Sequence, residues 1–112
     1  MPIQQWSQRI WIVQLADEPH LSEELVNISE RTKAAKAPVD VILDLSAVTH
    51  LNSSNLSQIL RVRKVAIDRD TKLLLAALPD GLWPTFMTTG LDKVFHFVAD
   101  VPTALATMQM AQ

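Results

Sequence analysis

Val39-Asp40-Val41-Ile42-Leu43-Asp44-Leu45 leads through residues 46–51 into Asn52-Ser53-Ser54-Asn55-Leu56, and this passage decides the fold. Pro38 precedes a short apolar run of β-branched residues and leucines, the pattern of a strand buried on both faces. The four residues 52–55 all favour helix N-caps and turns, because their side chains accept from free backbone N–H groups. A long helix therefore starts there, with Leu56, Ile59, Leu60, Ala66 and Ile67 read as its inner face and Ser57, Arg61, Lys64 and Asp68 opposite. A third apolar stretch, residues 72–78, ends at Pro79-Asp80-Gly81. Strand, helix and strand in this order predict a parallel crossover.

The same alternation continues outward. Upstream, residues 10–15 read as a strand that ends at Asp17-Glu18-Pro19, with residues 4–7 pairing beside it as an edge hairpin. From Pro19 an amphipathic helix carries Leu21, Leu25, Ile28 and Ala35 inward, and Pro38 stops it. Downstream, residues 83–89 predict a short helix with Gly90 as its left-handed cap, residues 94–98 a last strand, and Asp100 and Pro102 open a closing helix with Leu105 and Met108. The expectation is a single α/β domain over residues 1–112 with about four helices on one sheet.

Composition narrows the function. The 112 residues, 48% apolar, suffice for one core. No cysteine is present, which suits a reducing compartment, and the opening stretch lacks the basic-then-apolar pattern of an export signal. A cytoplasmic protein is expected. The apolar runs fall short of a membrane span, so no membrane insertion is expected. A net charge of −2, with ten basic residues scattered, gives no footprint for nucleic acid. Arg61, Arg63 and Lys64 form the densest basic stretch, but residues two apart do not share a helix face, so it reads as solvated surface. The only glycines, Gly81 and Gly90, form no phosphate-binding loop, and His20, His50 and His96 show no metal-ligand spacing. Trp6, Trp11 and Trp83 read as packing. Ser53 or Ser54 with His50 and Asp44 contains the residue types of a hydrolytic triad, but without the Gly-x-Ser-x-Gly frame, and residues so close in sequence seldom converge. No enzyme, cofactor or metal is expected.

The passage from Leu43 to Leu56 resembles the STAS domain, the family of bacterial anti-sigma factor antagonists. In that pattern a buried strand ends in an Asp-Leu-like pair, and after a short linker Asp-Ser-Ser/Ala-Gly-Leu opens a helix. Here the corresponding residues are Asp44-Leu45 and Asn52-Ser53-Ser54-Asn55-Leu56. Thr89-Gly90-Leu91-Asp92-Lys93-Val94-Phe95 is similar to the family's Gly-Leu entry to its last strand. The resemblance implies a mixed, mostly parallel sheet with an antiparallel N-terminal edge.

It also implies partner switching, in which a serine kinase that is itself an anti-sigma factor phosphorylates the serine matching Ser53 and a phosphatase reverses the change. Asn52, Ser54, Asn55 and Leu56 would then contact the partner. Three departures stand out. Asn52 replaces the family's acid. Asn55 places a side chain where the family's glycine lets a partner approach. Asp17-Glu18-Pro19-His20 replaces a Gly-Glu-Leu-Asp loop. Two readings follow from the resemblance: a phosphorylation-switched regulator, or a non-switching subunit docked on a larger assembly such as a lipid-transport ABC system. On the second, residues 52–55 are a helix cap and nothing more.

Overall fold

A computed structural model describes residues 3–110. Its strands are β1 (Ile3–Gln5), β2 (Ile10–Ala16), β3 (Asp40–Ala47), β4 (Leu73–Ala76) and β5 (Phe97–Val98). Its helices are α1 (His20–Ala34), α2 (Ser53–Asp68), α3 (Trp83–Thr88) and α4 (Val101–Met110), with 3-10 turns at Asp80–Leu82 and Leu91–Lys93. The five strands form one sheet in sequence order. β1 is antiparallel to β2, with Ile3 opposite Val13, and β2 through β5 are parallel. The mixed sheet with an antiparallel edge is thus as the sequence implied.

Sequence order has a consequence for layering. Each parallel crossover steps one strand in the same direction, and right-handed crossovers then place α1, α2 and α3 on one face. The opposite face is left for α4. Strand alternation divides the core accordingly. Val13, Leu15, Val41, Leu43, Leu45, Leu73 and Leu75 pack under α1, α2 and α3, whereas Ile10, Ile12, Ile42, Leu74 and Ala76 meet Ala104 and Met108 of α4.

Several elements differ from the sequence reading. β1 lies at residues 3–5, N-terminal to the expected 4–7. β4 ends at Ala76 because Ala77 adopts a left-handed φ of 58°. In α2, Val62 is buried and Ile67 is 58% exposed, while Leu60 is only half-buried. At 100° per residue, Ile59, Val62 and Ala66 centre the buried stripe, and Leu60 and Ile67 lie roughly 100° or more from that centre. The last strand shrinks from residues 94–98 to Phe97–Val98. Val94 and Phe95 both donate their N–H groups to the carbonyl of Leu91, closing the 3-10 turn. Phe95 is buried edge-on to Phe86, with ring centroids 6.2 Å apart.

Candidate functional site

The loops at the C-terminal ends of β2 and β3 meet at the start of α2. Asn52, in extended conformation, is the N-cap. Its side-chain oxygen accepts the N–H of Asn55 at 2.8 Å, and the Asn55 side-chain oxygen accepts the N–H of Asn52 at 3.0 Å. Each residue satisfies a donor that the helix start leaves open. Such a cap contributes about 1 kcal/mol. The two departures from the family motif are therefore one coupled feature.

Asn55 reaches further. Its amide nitrogen donates to Glu18 Oε2 at 3.1 Å and lies 3.4 Å from Ser22 Oγ and 3.3 Å from Gln58 Oε1. The side chain is 1% exposed, so it points inward and ties α2 to the entry of α1. This corrects the expectation that Asn55 stands on the surface in a partner's path. Leu56, 7% exposed, belongs to the core. Asn52, Ser53 and Ser54 are exposed.

Two carboxylates from the β2–α1 loop hold this junction. Asp17 accepts the N–H of Thr49 at 2.8 Å, the Thr49 hydroxyl, and the N–H of His50 at 3.3 Å. The Thr49 hydroxyl, followed by its N–H, holds the Asp17 carboxyl below its ordinary value of 3.8. Glu18 accepts the Ser22 hydroxyl and N–H as well as the Asn55 amide, and the Ser22 hydroxyl is the largest cause of its lowered pKa. Hydrogen bonds to the charged form favour that form.

Ser53 and Ser54 occupy the first two positions of α2. The Asn52–Asn55 exchange satisfies the N–H groups of residues 52 and 55, and Leu56 N–H reaches the carbonyl of Asn52. Among the described residues the N–H groups of Ser53 and Ser54 have no partner, and they point out of a positive helix terminus. The triad residues do not converge. His50 Nδ1 lies 2.8 Å from Thr49 Oγ1, and Asp44 accepts the N–H of Ser46 at 3.0 Å. Neither is bonded to Ser53 or Ser54 among the described residues.

A buried strand, a short linker and a capped helix carrying an exposed serine pair coincide with a family model. The STAS domain model matches residues 11–104. The chain belongs to the STAS family. No curated protein sequence matches it. Solved structures similar to this chain include an anti-sigma-factor antagonist (STAS) domain protein from Planctomyces limnophilus, at TM-score 0.81 and 17% identity over 96% of each chain. A serine-to-glutamate variant of RsbS from Moorella thermoacetica is similar at TM-score 0.78 and 14% identity over the whole of both chains. A putative anti-sigma factor antagonist from Thermotoga maritima gives 0.80 and 13%, over 96% of this chain and 93% of that one. At these identities the likeness is one of fold.

The sequence reading found the serine turn and missed what holds it. Asp17, Glu18, Ser22 and Thr49 are ordinary loop and helix-start residues in the sequence. Glu18 and Ser22 pair locally, but the contacts that join the two loops span 32 to 37 positions, and only the pairing of β2 with β3 brings the loops together.

Proposed function

We propose that this STAS domain is an anti-sigma factor antagonist-like regulator in a bacterial cytoplasm, bound by a serine kinase or anti-sigma partner through the exposed start of α2, with Ser53 as phosphoacceptor. The observation that carries this reading is an exposed Ser53 hydroxyl on a turn held rigid by the buried Asn55 side chain. A phosphate there adds about −1.5 to −2 charges to a surface that a partner fitted as a neutral hydroxyl. The open N–H groups of residues 53 and 54 accommodate it, so the effect falls on binding rather than on folding.

The non-switching subunit is the second reading, and Asn52 favours it. With Asn52 in place of an acid, the turn caps itself through Asn55 and keeps no carboxylate beside Ser53 in the motif.

The deciding measurement is calorimetric titration of the partner, captured from native cytosol, with wild type, Ser53→Ala, Ser53→Asp and the phosphoserine form. The switch predicts that the last two lose at least roughly tenfold in affinity, about 1.4 kcal/mol, while Ser53→Ala binds as wild type does. Equal affinity for all four overturns it and leaves the constitutive subunit.

A further inference from the structure

Toward the opposite end of α2, where Ile67 lies about 21 Å from Ser53 by helix rise, the sheet is incomplete. β4 begins at Leu73, but β5 pairs only with its last two residues, Leu75 with Phe97 and Ala76 with Val98. In a strand, alternate residues direct their N–H and C=O to the same neighbour. Leu75 donates to the carbonyl of His96 and Ala77 to that of Val98, so Leu73 faces the same side. Among the described residues no backbone group meets the N–H or C=O of Leu73 there. Residues 94 and 95 have turned away to close their 3-10 turn, leaving a notch of about 420 Å³.

The notch has three properties together. Its edge carries the Leu73 backbone groups, which have no backbone partner on that side among the described residues although Leu73 is only 9% exposed. Its walls are apolar on both faces of the sheet, with Leu73 and Ile67 on the α2 side and Leu74 and Met108 on the α4 side. Its polar lining includes Arg63, Lys72 and His96 and no carboxylate. Among the described residues neither Arg63 nor Lys72 has a carboxylate within salt-bridge distance.

We propose that this notch docks an extended acidic segment of a protein partner, which adds to the edge of β4 where β5 falls short. An added strand supplies a carbonyl and an N–H to Leu73, projects alternate side chains to the two apolar walls, and brings carboxylates to Arg63 and Lys72. An apolar anion with a single chain fits the walls and the charge but leaves the Leu73 groups unpaired. That difference selects the peptide. The site is independent of Ser53 and is available under either reading of the domain's function.

The test uses isotopically labelled protein and two defined peptides, acetyl-Glu-Val-Glu-Val-Glu-Val-amide and its lysine counterpart. The acidic peptide is expected to bind with a Kd below about 1 mM, to shift the amide resonances of residues 73–74 and 94–96, and to slow hydrogen exchange of the Leu73 amide at least roughly tenfold. The lysine peptide is expected not to bind. The doubly exchanged Arg63→Glu, Lys72→Glu protein, folded by circular dichroism, is expected to bind the acidic peptide at least roughly tenfold more weakly. Ser53→Asp is expected to bind it as wild type does. Shifts that map elsewhere, no binding at that concentration, or equal binding of both peptides overturn the proposal. So does an unchanged Leu73 exchange rate at saturation. Dodecanoate that displaces the peptide without protecting Leu73 reassigns the notch to apolar anions, and concentration-dependent shifts without peptide reassign it to a second copy of the chain.

Discussion

At the serine end of the sheet, Asn52 and Asn55 exchange hydrogen bonds, Glu18 takes the spare Asn55 amide, and Asp17 clasps Thr49 and His50. At the other end, the Leu73 backbone of β4 has no backbone partner on the β5 side among the described residues, and Ile67 lies 58% exposed on the rim. Reciprocal polar bonds tie the chain together at one end. The other is open because a turn uses the residues that would have lengthened β5. A turn whose flanks are tied and whose Ser53 and Ser54 N–H groups stay open suits recognition that changes by modification, and an unpaired edge suits recognition by added strand. Both hang from the same central strand.

That shared support gives the largest expected effect. Leu43 sits in β3 between Val13 of β2 and Leu75 of β4 and is fully buried. Leu43→Ala is expected to cost about 2–5 kcal/mol in denaturant unfolding, through lost transfer energy and the cavity left behind. A loss under about 1 kcal/mol would mean that the two ends do not depend on a common core.

The next effect separates the ends on a single helix. Asn55→Ala removes the side-chain half of the reciprocal cap and leaves the Asn52 N–H without its partner, so about 1–3 kcal/mol is expected. Ile67→Ala, at the exposed rim, is expected to stay within about 0.5 kcal/mol, since alanine's better helix propensity offsets the small loss of burial. Equal losses for the two substitutions would break the contrast between a stabilised turn and an open edge.

The sequence made the architecture legible because β-branched runs, prolines and cap residues all agreed on where elements begin. Residues 39–45 read as a buried strand, which forms over Asp40–Ala47, and the four helices are all present. The misreadings have local physical causes. The apolar side chain of Ile67 argues for an inward position, but its angle on the helix wheel places it beside the stripe. Val94 and Phe95 carry strand-forming side chains but are committed to closing the turn after Gly90, whose φ of 75° begins it. At the site, a serine turn is a local pattern and could be read. The inward turn of Asn55 depends on Glu18, 37 residues earlier, and had no sequence signal short of the fold itself.

Acidity tests the satisfied end more gently. Asp17 and Glu18 have folded pKa values lowered from 3.8 and 4.5 by the hydrogen bonds they accept. A lowered folded pKa contributes stability that is complete above the unfolded value and is lost as pH falls through the folded one. Thermal melts are therefore expected to show a stability loss setting in as pH drops below these ordinary values, and a shallower loss for Asp17→Asn, Glu18→Gln. Parallel pH profiles for the two proteins would show that the clasp between the loops contributes nothing that depends on charge.

The smallest effect belongs to the stretch of α2 between its two ends. Lys64 and Asp68 form an ion pair at 3.0 Å, and both side chains are well exposed. The pair runs with the base N-terminal to the acid, the weaker order on a helix, and water and salt screen it. Asp68 also stands in the last turn, where the helix terminus carries partial negative charge and disfavours an acid. Lys64→Ala removes the attraction, frees a long side chain that the pair had ordered, and installs the best helix former. These terms oppose one another, so the substitution is expected to stay within about 0.5 kcal/mol of wild type in the same denaturant measurement. A loss above about 1 kcal/mol would show that the middle of α2 is held by a charge network, and the division of this helix into a fixed end and an open end would have to be redrawn.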